Sequence, residues 1–256
     1  MAQIEKIGEL AQTEVVVFPI IDVSGSMAGE KIGQVNEAMS AVPEQLAEIN
    51  EDALDAKLKI APMEFSSGAR WFALKNDEPA EVETFRWIDM RANGLTDLGS
   101  AFKLLAEKLT VEKQGGWMKG RGGAAPVIIL ISDGGPTDDY KTQLEILKKR
   151  GWFRAALKFA VAVGADADKS VLAEFTGNSE AVIDTEVIRK DLASIIKTVI
   201  RTASQTASQG ASQSNNSDTK QEVEDISEDA NKQAQQEAIE NVQKNMSMED
   251  AADDFE

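Results

Sequence analysis

The sequence predicts an α/β protein with a doubly wound, mostly parallel sheet, one antiparallel edge strand and helices on both faces. Two observations predict this fold class. Short apolar runs such as Val127–Ile131 and Leu157–Val163 alternate along the chain with segments in which apolar residues recur every three or four positions. Such alternation of strands and helices is typical of parallel sheets. The apolar runs are also continuous, which indicates strands that are covered on both faces.

The individual elements follow from the same periodicities. Val15–Ile21 is an apolar, β-branched run, although Pro19 within it cannot donate a hydrogen bond to a neighbouring strand. A helical stripe covers Glu30–Ile49, in which Pro43 predicts a kink or a break. Ser66-Ser67-Gly68 separates two strand-like runs and predicts the hairpin that adds the antiparallel strand. The other predicted strands cover residues 58–65, 71–74, 127–131, 157–163 and 181–184, and the other helices cover 98–109, 140–149, 170–175 and 189–201.

The composition changes near residue 202 and divides the chain into four segments. Residues 1–13 form an N-terminal extension and residues 14–202 form the α/β domain. Residues 203–218 are small and polar, which predicts a flexible linker. Residues 219–256 form an acidic tail in which apolar residues recur every three or four positions from Val223 to Met246. This weak stripe predicts an amphipathic helix that folds only against a partner or back onto the domain.

The charge of the chain restricts its partners. The formal net charge is −17, and 13 of the 44 acidic residues but only 3 of the 27 basic residues follow residue 202. An acidic surface repels nucleic acids and anionic membranes, so we expect neither as a partner. No apolar run approaches the length of about 18 residues that a membrane helix needs, and residues 1–14 do not resemble a signal peptide. We therefore expect a cytoplasmic protein.

The chain contains no cysteine and no histidine. Disulfides, thiolate catalysis, Cys/His zinc sites and Ser-His-Asp triads are therefore excluded. Any metal ion must be held by oxygen atoms, which favours Mg²⁺ and, as alternatives, Mn²⁺ or Ca²⁺.

Polar residues follow two of the predicted strands. Asp22-Val23-Ser24-Gly25-Ser26 lies where the first strand ends, and Asp133 follows the strand Val127–Ile131. Ligands of doubly wound sheets bind at the carboxyl ends of the strands, where the strand order reverses. If the two strands are neighbours there, the two carboxylates converge, and either protonation or a shared cation relieves their repulsion. The hydroxyls of Ser24 and Ser26 supply further oxygen ligands, although Asp and Ser are also ordinary turn and cap residues.

These motifs resemble the von Willebrand factor A domain and its metal-ion-dependent adhesion site. That family has a D-x-S-x-S motif after the first strand, a threonine in a loop before a helix, and an aspartate after the fourth strand. The resemblance covers residues 14–202, identifies the threonine as Thr96 and the last aspartate as Asp133, and implies direct ligation by Ser24, Ser26 and Thr96. Asp22 and Asp133 would bind directly or through water, and an Asp or Glu of a partner protein would fill the open position. Thr96 can also be interpreted as a helix N-cap, as can Asp97.

A narrower resemblance is to the bacterial tellurium-resistance-associated A-domain proteins. It rests on residues 133–139 and on Val163–Asp168, and it implies a cytoplasmic role in stress response. The long loop Gly115–Gly123 and the acidic tail depart from that pattern. Asp138 and Asp139 are interpreted as N-caps of the helix that begins at Tyr140.

Three functions are compatible with these residues. The first is a non-enzymatic, metal-dependent adaptor, whose oligomeric state the sequence does not indicate. The second is a magnesium-dependent phosphoryl-transfer or hydrolytic enzyme that uses Asp22, although aspartyl phosphatases have a second aspartate at the position of Ser24. In the third, the carboxylates of the tail fill the open metal position until a partner displaces them.

Overall fold

The computed structural model describes residues 13–52, 56–120, 124–186, 192–215 and 228–253. The predicted N-terminal extension, the end of the glycine-rich loop, the predicted start of the helix at Arg189 and the first part of the acidic tail lie outside these ranges. The strands are β1 (Thr13–Asp22), β2 (Ala56–Ile60), β3 (Met63–Ser66), β4 (Gly68–Trp71), β5 (Ala80–Glu81), β6 (Val127–Ser132), β7 (Leu157–Ala162) and β8 (Val182–Asp184). The α-helices are α1 (Glu30–Asp52), α2 (Leu98–Lys108), α3 (Tyr140–Lys148), α4 (Gly151–Ala155), α5 (Lys169–Thr176), α6 (Leu192–Asn215) and α7 (Glu228–Asp253).

The described strands form one mixed sheet in the order β4-β3-β1-β6-β7-β8, and β2 pairs with β1 beside β3. The strands β1, β2, β3, β6, β7 and β8 pair in parallel. One antiparallel pair is the predicted hairpin β3–β4, although its second strand covers Gly68–Trp71 rather than the predicted 71–74. The other is the pairing of the unpredicted strand β5 with β2. The predicted fold class is confirmed. The strand order reverses between β1 and β6, so the residues that follow these two strands lie side by side.

Pro19 is tolerated in the centre of the sheet because its neighbour is interrupted there. Val17 O of β1 accepts a hydrogen bond from Ala61 N at 2.9 Å, which shows that Val17 faces β2 and β3. Backbone groups alternate in direction along a strand, so Pro19 faces the same side. At that level Ala61 and Pro62 separate β2 from β3. The missing N–H of Pro19 therefore faces a gap in the ladder, which the sequence prediction of a single strand over 58–65 did not include.

The helices cover both faces of the sheet, as predicted. On one face, α1, α6 and α7 pack against alternate residues of the strands, including Val15, Val17 and Ile21 of β1. On the other face, α2, α3, α4 and α5 pack against the residues between them, including Phe18 and Ile20. The helix α1 continues through Pro43 without the break considered above. No described helix is both long and apolar enough to cross a membrane.

Residues 203–215 form the second half of α6, which differs from the flexible linker predicted over 203–218. Ala203 and Ser204 are fully buried, and the Thr206 hydroxyl donates to the Thr202 carbonyl at 3.1 Å. The small side chains of Ala203, Ser204 and Ala207 are buried where α6 packs against the rest of the domain. Tertiary packing therefore stabilises a helix that intrinsic propensity alone would not predict.

The helix α7 packs back onto the domain, against α6, α4 and β7. Ala238, Ile239, Val242 and Met246 are buried at this contact. The strand β8 pairs with residues 160–162 of β7 and does not reach Lys158. There the Gln235 side chain bonds both backbone groups: its Oε1 accepts from Lys158 N at 2.7 Å, and its Nε2 donates to Lys158 O at 2.8 Å. The side-chain amide of Gln235 thus replaces a neighbouring strand at the edge of the sheet.

Candidate metal centre

The first three candidate ligands lie in one turn after β1. The Asp22 carboxylate, which is fully buried, accepts a hydrogen bond from Ser24 N at 2.8 Å. The hydroxyl oxygens of Ser24 and Ser26 are 3.0 Å apart. Ser24 is 1 % exposed, whereas Ser26 is exposed. A short 3-10 helix over Gly25–Met27 places both hydroxyls in the same turn as the carboxylate. The turn therefore groups three oxygen-bearing side chains at the carboxyl end of β1.

Asp22 is connected to the neighbouring strand through Ser132, the last residue of β6. The Ser132 hydroxyl donates to the other carboxylate oxygen of Asp22 at 2.6 Å and accepts from Gly134 N at 2.8 Å. Burial raises the pKa of Asp22 above its ordinary value, the bonds from Ser132 and Ser24 lower it, and the nearby charge of Asp133 raises it further. The sequence analysis did not identify Ser132, because its position beside Asp22 depends on the pairing of β1 with β6.

Thr96 lies in a loop whose backbone is joined to the turn after β1. Gly25 N donates to Gly94 O at 3.0 Å, and Asn93 N donates to Val23 O at 2.7 Å. Gly94 has a φ of +90°, and a Cβ atom at this position would lie 2.7 Å from the Ser67 hydroxyl, so only glycine fits. These contacts hold the Thr96 loop in a fixed position beside Ser24 and Ser26.

The Thr96 side chain is not used as a helix cap. Asp97 occupies the N-cap position of α2 without a capping hydrogen bond. The carboxylate of Asp138 instead accepts from Gly99 N at 2.9 Å and from Ser100 N at 3.1 Å. Thr96 is 6 % exposed, and among the described residues its hydroxyl makes no hydrogen bond, so this oxygen is available as a ligand.

Asp138 and Asp139, which were both expected to cap α3, cap different helices. Asp139 caps α3, as predicted, by accepting from Thr142 N at 3.2 Å. Asp138 caps α2 rather than α3, which corrects the sequence interpretation. The reason is tertiary: the loop after β6 runs beside the first turn of α2, where unpaired backbone N–H groups attract a carboxylate.

Asp133 follows β6, is 6 % exposed, and has a basic neighbour that the sequence analysis missed. Lys31 Nζ on α1 lies 3.3 Å from Asp133 Oδ2 and 3.4 Å from Asp166 Oδ1. A lysine 102 residues away in the chain carries no local signal of this contact. The backbone of Asp133 is fixed too, since its carbonyl accepts from Asp168 N at 2.9 Å.

The residues at this edge fit a hard, oxygen-bound cation. Two carboxylates of like charge lie in a largely buried region, and hydroxyl oxygens surround them. Within the described part of the chain, no group of three or more acidic residues converges on one point. A cation here would therefore be held by a mixed set of two carboxylates and several hydroxyls, which is suited to Mg²⁺ or Mn²⁺ and their bound water.

A doubly wound sheet with oxygen ligands at its switch point defines a class of α/β ligand-binding domains. Within this class, the chain belongs to the von Willebrand factor type A domain family, whose model matches residues 16–197. A search of curated proteins gave no match.

Solved structures share the fold at low sequence identity. A von Willebrand factor type A protein from Catenulispora acidiphila is 17 % identical with a TM-score of 0.52, over 77 % of this chain and 43 % of that one. Proximal thread matrix protein 1 from the mussel byssus, with a zinc-occupied MIDAS motif, is 15 % identical with a TM-score of 0.52, over 76 % and 48 %. The pilus adhesin SpaC from Lactobacillus rhamnosus GG is 13 % identical with a TM-score of 0.55, over 79 % and 31 %. The chain thus spans less than half the length of each of these proteins.

Proposed function

We propose that this protein is a metal-dependent protein-interaction module, in which a divalent cation is held by Asp22, Ser24, Ser26, Thr96 and Asp133. The observation that carries the proposal is the fully buried carboxylate of Asp22 beside Asp133. Buried like charges are costly unless a cation neutralises them. The hydroxyls of Ser24, Ser26 and Thr96 are the neutral oxygen ligands that complete such a site.

The charge of this ligand set indicates what the site binds. Two carboxylates neutralise a divalent ion, and neutral hydroxyls add no charge. A coordination position that faces solvent can therefore accept a further negative group. We propose that this group is an Asp or Glu side chain of a partner protein, so that the ion joins the two proteins.

The alternative of an enzyme that uses Asp22 as a nucleophile has less support. A nucleophile must reach its substrate, whereas Asp22 is 0 % exposed, and its two carboxylate oxygens are already bonded by Ser24 N and Ser132 Oγ. The position two residues later holds Ser24, whose hydroxyl lies beside that of Ser26. These observations support a role for Asp22 in holding a cation rather than in attacking a phosphoryl group.

The family and one similar structure support the general part of the proposal. Domains of this family commonly act as interaction modules, and the mussel protein holds zinc in its MIDAS motif. Mg²⁺ as the resident ion, a cytoplasmic location and a stress-response role like that of tellurium-resistance proteins are finer parts of the proposal. They rest on the oxygen-only ligand set and on the sequence motifs at residues 133–139 and 163–168.

The test is calorimetric titration of the metal-free protein with MgCl₂ and MnCl₂, with Thr96→Ala as the main variant. The Thr96 hydroxyl makes no hydrogen bond within the described residues, so its removal should leave the fold intact. We expect one cation site in the wild type and an affinity loss of about tenfold or more in Thr96→Ala. Asp22→Ala should abolish binding.

Thr84→Ala is the matched control, because Thr84 lies on the surface and its hydroxyl, within the part of the chain that the structure describes, donates to the Glu81 carbonyl. Its cation affinity should equal that of the wild type. Capture of a partner from a lysate of the native cell should in turn be lost with chelator and with Thr96→Ala. Equal cation binding by the wild type and Thr96→Ala would contradict the proposed ligand set, and partner capture that is indifferent to chelator would contradict the bridging role.

A further inference from the structure

A lysine side chain occupies the rim of the candidate metal centre. Lys31, in the first turn of α1, places its Nζ 3.3 Å from Asp133 Oδ2 and 3.4 Å from Asp166 Oδ1. Its side chain is 26 % exposed, whereas that of Asp133 is 6 % exposed and that of Asp166 is 78 % exposed. The ammonium group therefore lies between a buried carboxylate of the site and an exposed carboxylate outside it.

The end of the Lys31 side chain also packs against the backbone at Gly164. Gly164 follows β7 with a φ of +90°, and a Cβ atom there would lie 2.9 Å from Lys31 Cε and 3.0 Å from its Nζ. A side chain at residue 164 would displace the ammonium group from Asp133. Lys31 is thus positioned by ion pairs with two carboxylates and by the space that Gly164 leaves for its ammonium group.

We propose that Lys31 weakens the binding of the cation to the metal centre and strengthens the binding of the partner's carboxylate to that cation. The inference rests on the proposed function of the site. Lys31 and the cation interact with the same carboxylate, Asp133, so their positive charges repel each other. An incoming carboxylate, in contrast, is attracted by both charges.

The charges near the site show why the lysine has this effect. Asp22 and Asp133 neutralise a divalent cation, and Lys31 and Asp166 neutralise each other. Without Lys31 the same group of residues, with its cation, has a net charge of −1 and repels an anionic partner. In a partly exposed site a unit charge about 5–6 Å away changes an affinity by roughly three- to tenfold, because solvent screens the interaction.

The first arm of the test measures the cation alone. Metal-free wild type, Lys31→Met and Lys31→Arg are titrated with MnCl₂, and free Mn²⁺ is followed by electron paramagnetic resonance. Lys31→Met should bind Mn²⁺ about three- to tenfold more tightly than the wild type, and Lys31→Arg, which keeps the charge, should remain within about twofold. A lysine that only anchors α1 would give lower stability in Lys31→Met without a gain in affinity.

Asp166→Asn supplies the opposite change. It removes the exposed carboxylate that offsets Lys31 and leaves all five proposed ligands of the cation unchanged. We expect it to weaken Mn²⁺ binding by about threefold, since the lysine charge is then less compensated. The exposed residue Asp139, which caps α3, provides the control: Asp139→Asn should bind Mn²⁺ like the wild type.

The second arm measures the carboxylate. Sodium acetate is added to the Mn²⁺-loaded proteins at constant ionic strength, and displacement of metal-bound water is followed by proton relaxation. The apparent acetate affinity should fall by about three- to tenfold in Lys31→Met and should be retained in Lys31→Arg. Opposite changes for the two ligands in one variant support the inference.

The outcomes separate this inference from the proposed function. A wild type that binds no Mn²⁺ overturns the metal centre, and the role of Lys31 with it. A wild type that binds Mn²⁺ with the same affinity as Lys31→Met, or more tightly, overturns the role of Lys31 and leaves the metal centre standing. Tighter cation binding in Lys31→Met with unchanged acetate affinity also overturns the inference, because Lys31 would then have no effect on carboxylate binding.

Discussion

Two charged side chains, the buried Asp22 and the half-buried Lys158, lie at opposite ends of the sheet and have different surroundings. Lys158 is near the amino end of β7, where its ammonium group donates to the carbonyls of Phe153 and Ala156 at 3.2 and 2.9 Å and lies 5.3 Å from the Phe153 ring centroid. Gln235 bonds both of its backbone groups. Asp22, at the carboxyl end of β1, is also hydrogen-bonded but faces a second carboxylate.

This difference separates a structural contact from a binding site. Among the described residues, the Lys158 ammonium group contacts two neutral carbonyls and an aromatic ring, and α7 packs against β7 and α4 in this region. Around Asp22 a second negative charge, that of Asp133, remains close by. Like charges in a buried region lower stability even though Lys31 pairs with Asp133, and a site that tolerates this cost is a candidate for a functional role. Changes near Lys158 should therefore affect stability, and changes near Asp22 should affect cation binding.

The largest effect on stability is expected from Ile239→Ala in α7. Ile239 is fully buried against the sheet, and truncation of such a side chain costs about 2–4 kcal/mol. The free energy of unfolding is measured by urea titration, and Mn²⁺ affinity is measured on the same samples. We expect lower stability with cation affinity within about twofold of the wild type.

Gln243 provides the control for this variant, because it lies on the exposed face of the same helix. Gln243→Ala should leave both quantities unchanged. A loss of cation affinity in Ile239→Ala, measured where the protein remains folded, would show that the two ends of the sheet are coupled. It would contradict the expectation that changes at the Lys158 end affect stability and not cation binding.

A smaller effect is expected from Gln235→Ala, which removes both hydrogen bonds to the backbone of Lys158. The Lys158 N–H would then be left without its partner in a half-buried position, at a cost of about 1–2 kcal/mol. Gln236→Ala is the matched control, since the Gln236 side chain is exposed and its bond within the described residues is to Glu240 on the same helix. Equal unfolding free energies for the two variants would show that the amide of Gln235 does not replace a strand. Hydrogen exchange at the Lys158 amide provides a second measurement.

The sequence predicted most of the sheet because its strands are continuous apolar runs. Val127–Ser132 is buried along its whole length, and such a strand requires helices on both faces. The sequence analysis expected the carboxylates of Asp22 and Asp133 to converge if the strands before them were neighbours, and the pairing of β1 with β6 makes these strands neighbours. These features could be predicted because each depends on a local pattern and on one general rule of topology.

The remaining features depend on contacts between distant segments. Ser132, Lys31 and Gln235 are ordinary residues in their local sequence, and each has its role only through a partner at least 77 positions away. The helical segment 203–215 was predicted as a linker because its small polar residues have no apolar stripe of their own. Neither the capping of α2 by Asp138 nor the gap beside Pro19 could be read from nearby residues, since both depend on tertiary structure.

The smallest expected effects are on the pH dependence of stability, and they distinguish the two charged side chains. Burial lowers the pKa of Lys158 from 10.5 to about 8. Between these values the unfolded chain binds the proton more tightly, so the free energy of unfolding should rise with pH, on the order of 1 kcal/mol, because the two carbonyls offset part of the cost of burial. Lys158→Met should abolish this rise in urea titrations from pH 7 to 10.5.

Asp22 should give the opposite slope, because its folded-state pKa is raised above 3.8, the ordinary value. Its stabilising contribution is complete below that value and is lost as the pH rises through the folded-state pKa. In metal-free protein, Asp22→Asn should therefore remove a fall in stability on the acidic side and be no less stable than the wild type at neutral pH. Added Mg²⁺ should stabilise the wild type at neutral pH through the ionised carboxylate, and should leave Asp22→Asn and the alkaline slope of Lys158 unchanged. If Mg²⁺ instead stabilised Asp22→Asn as much as the wild type, Asp22 would not contribute to cation binding. Asp22, like Lys158, would then affect stability alone.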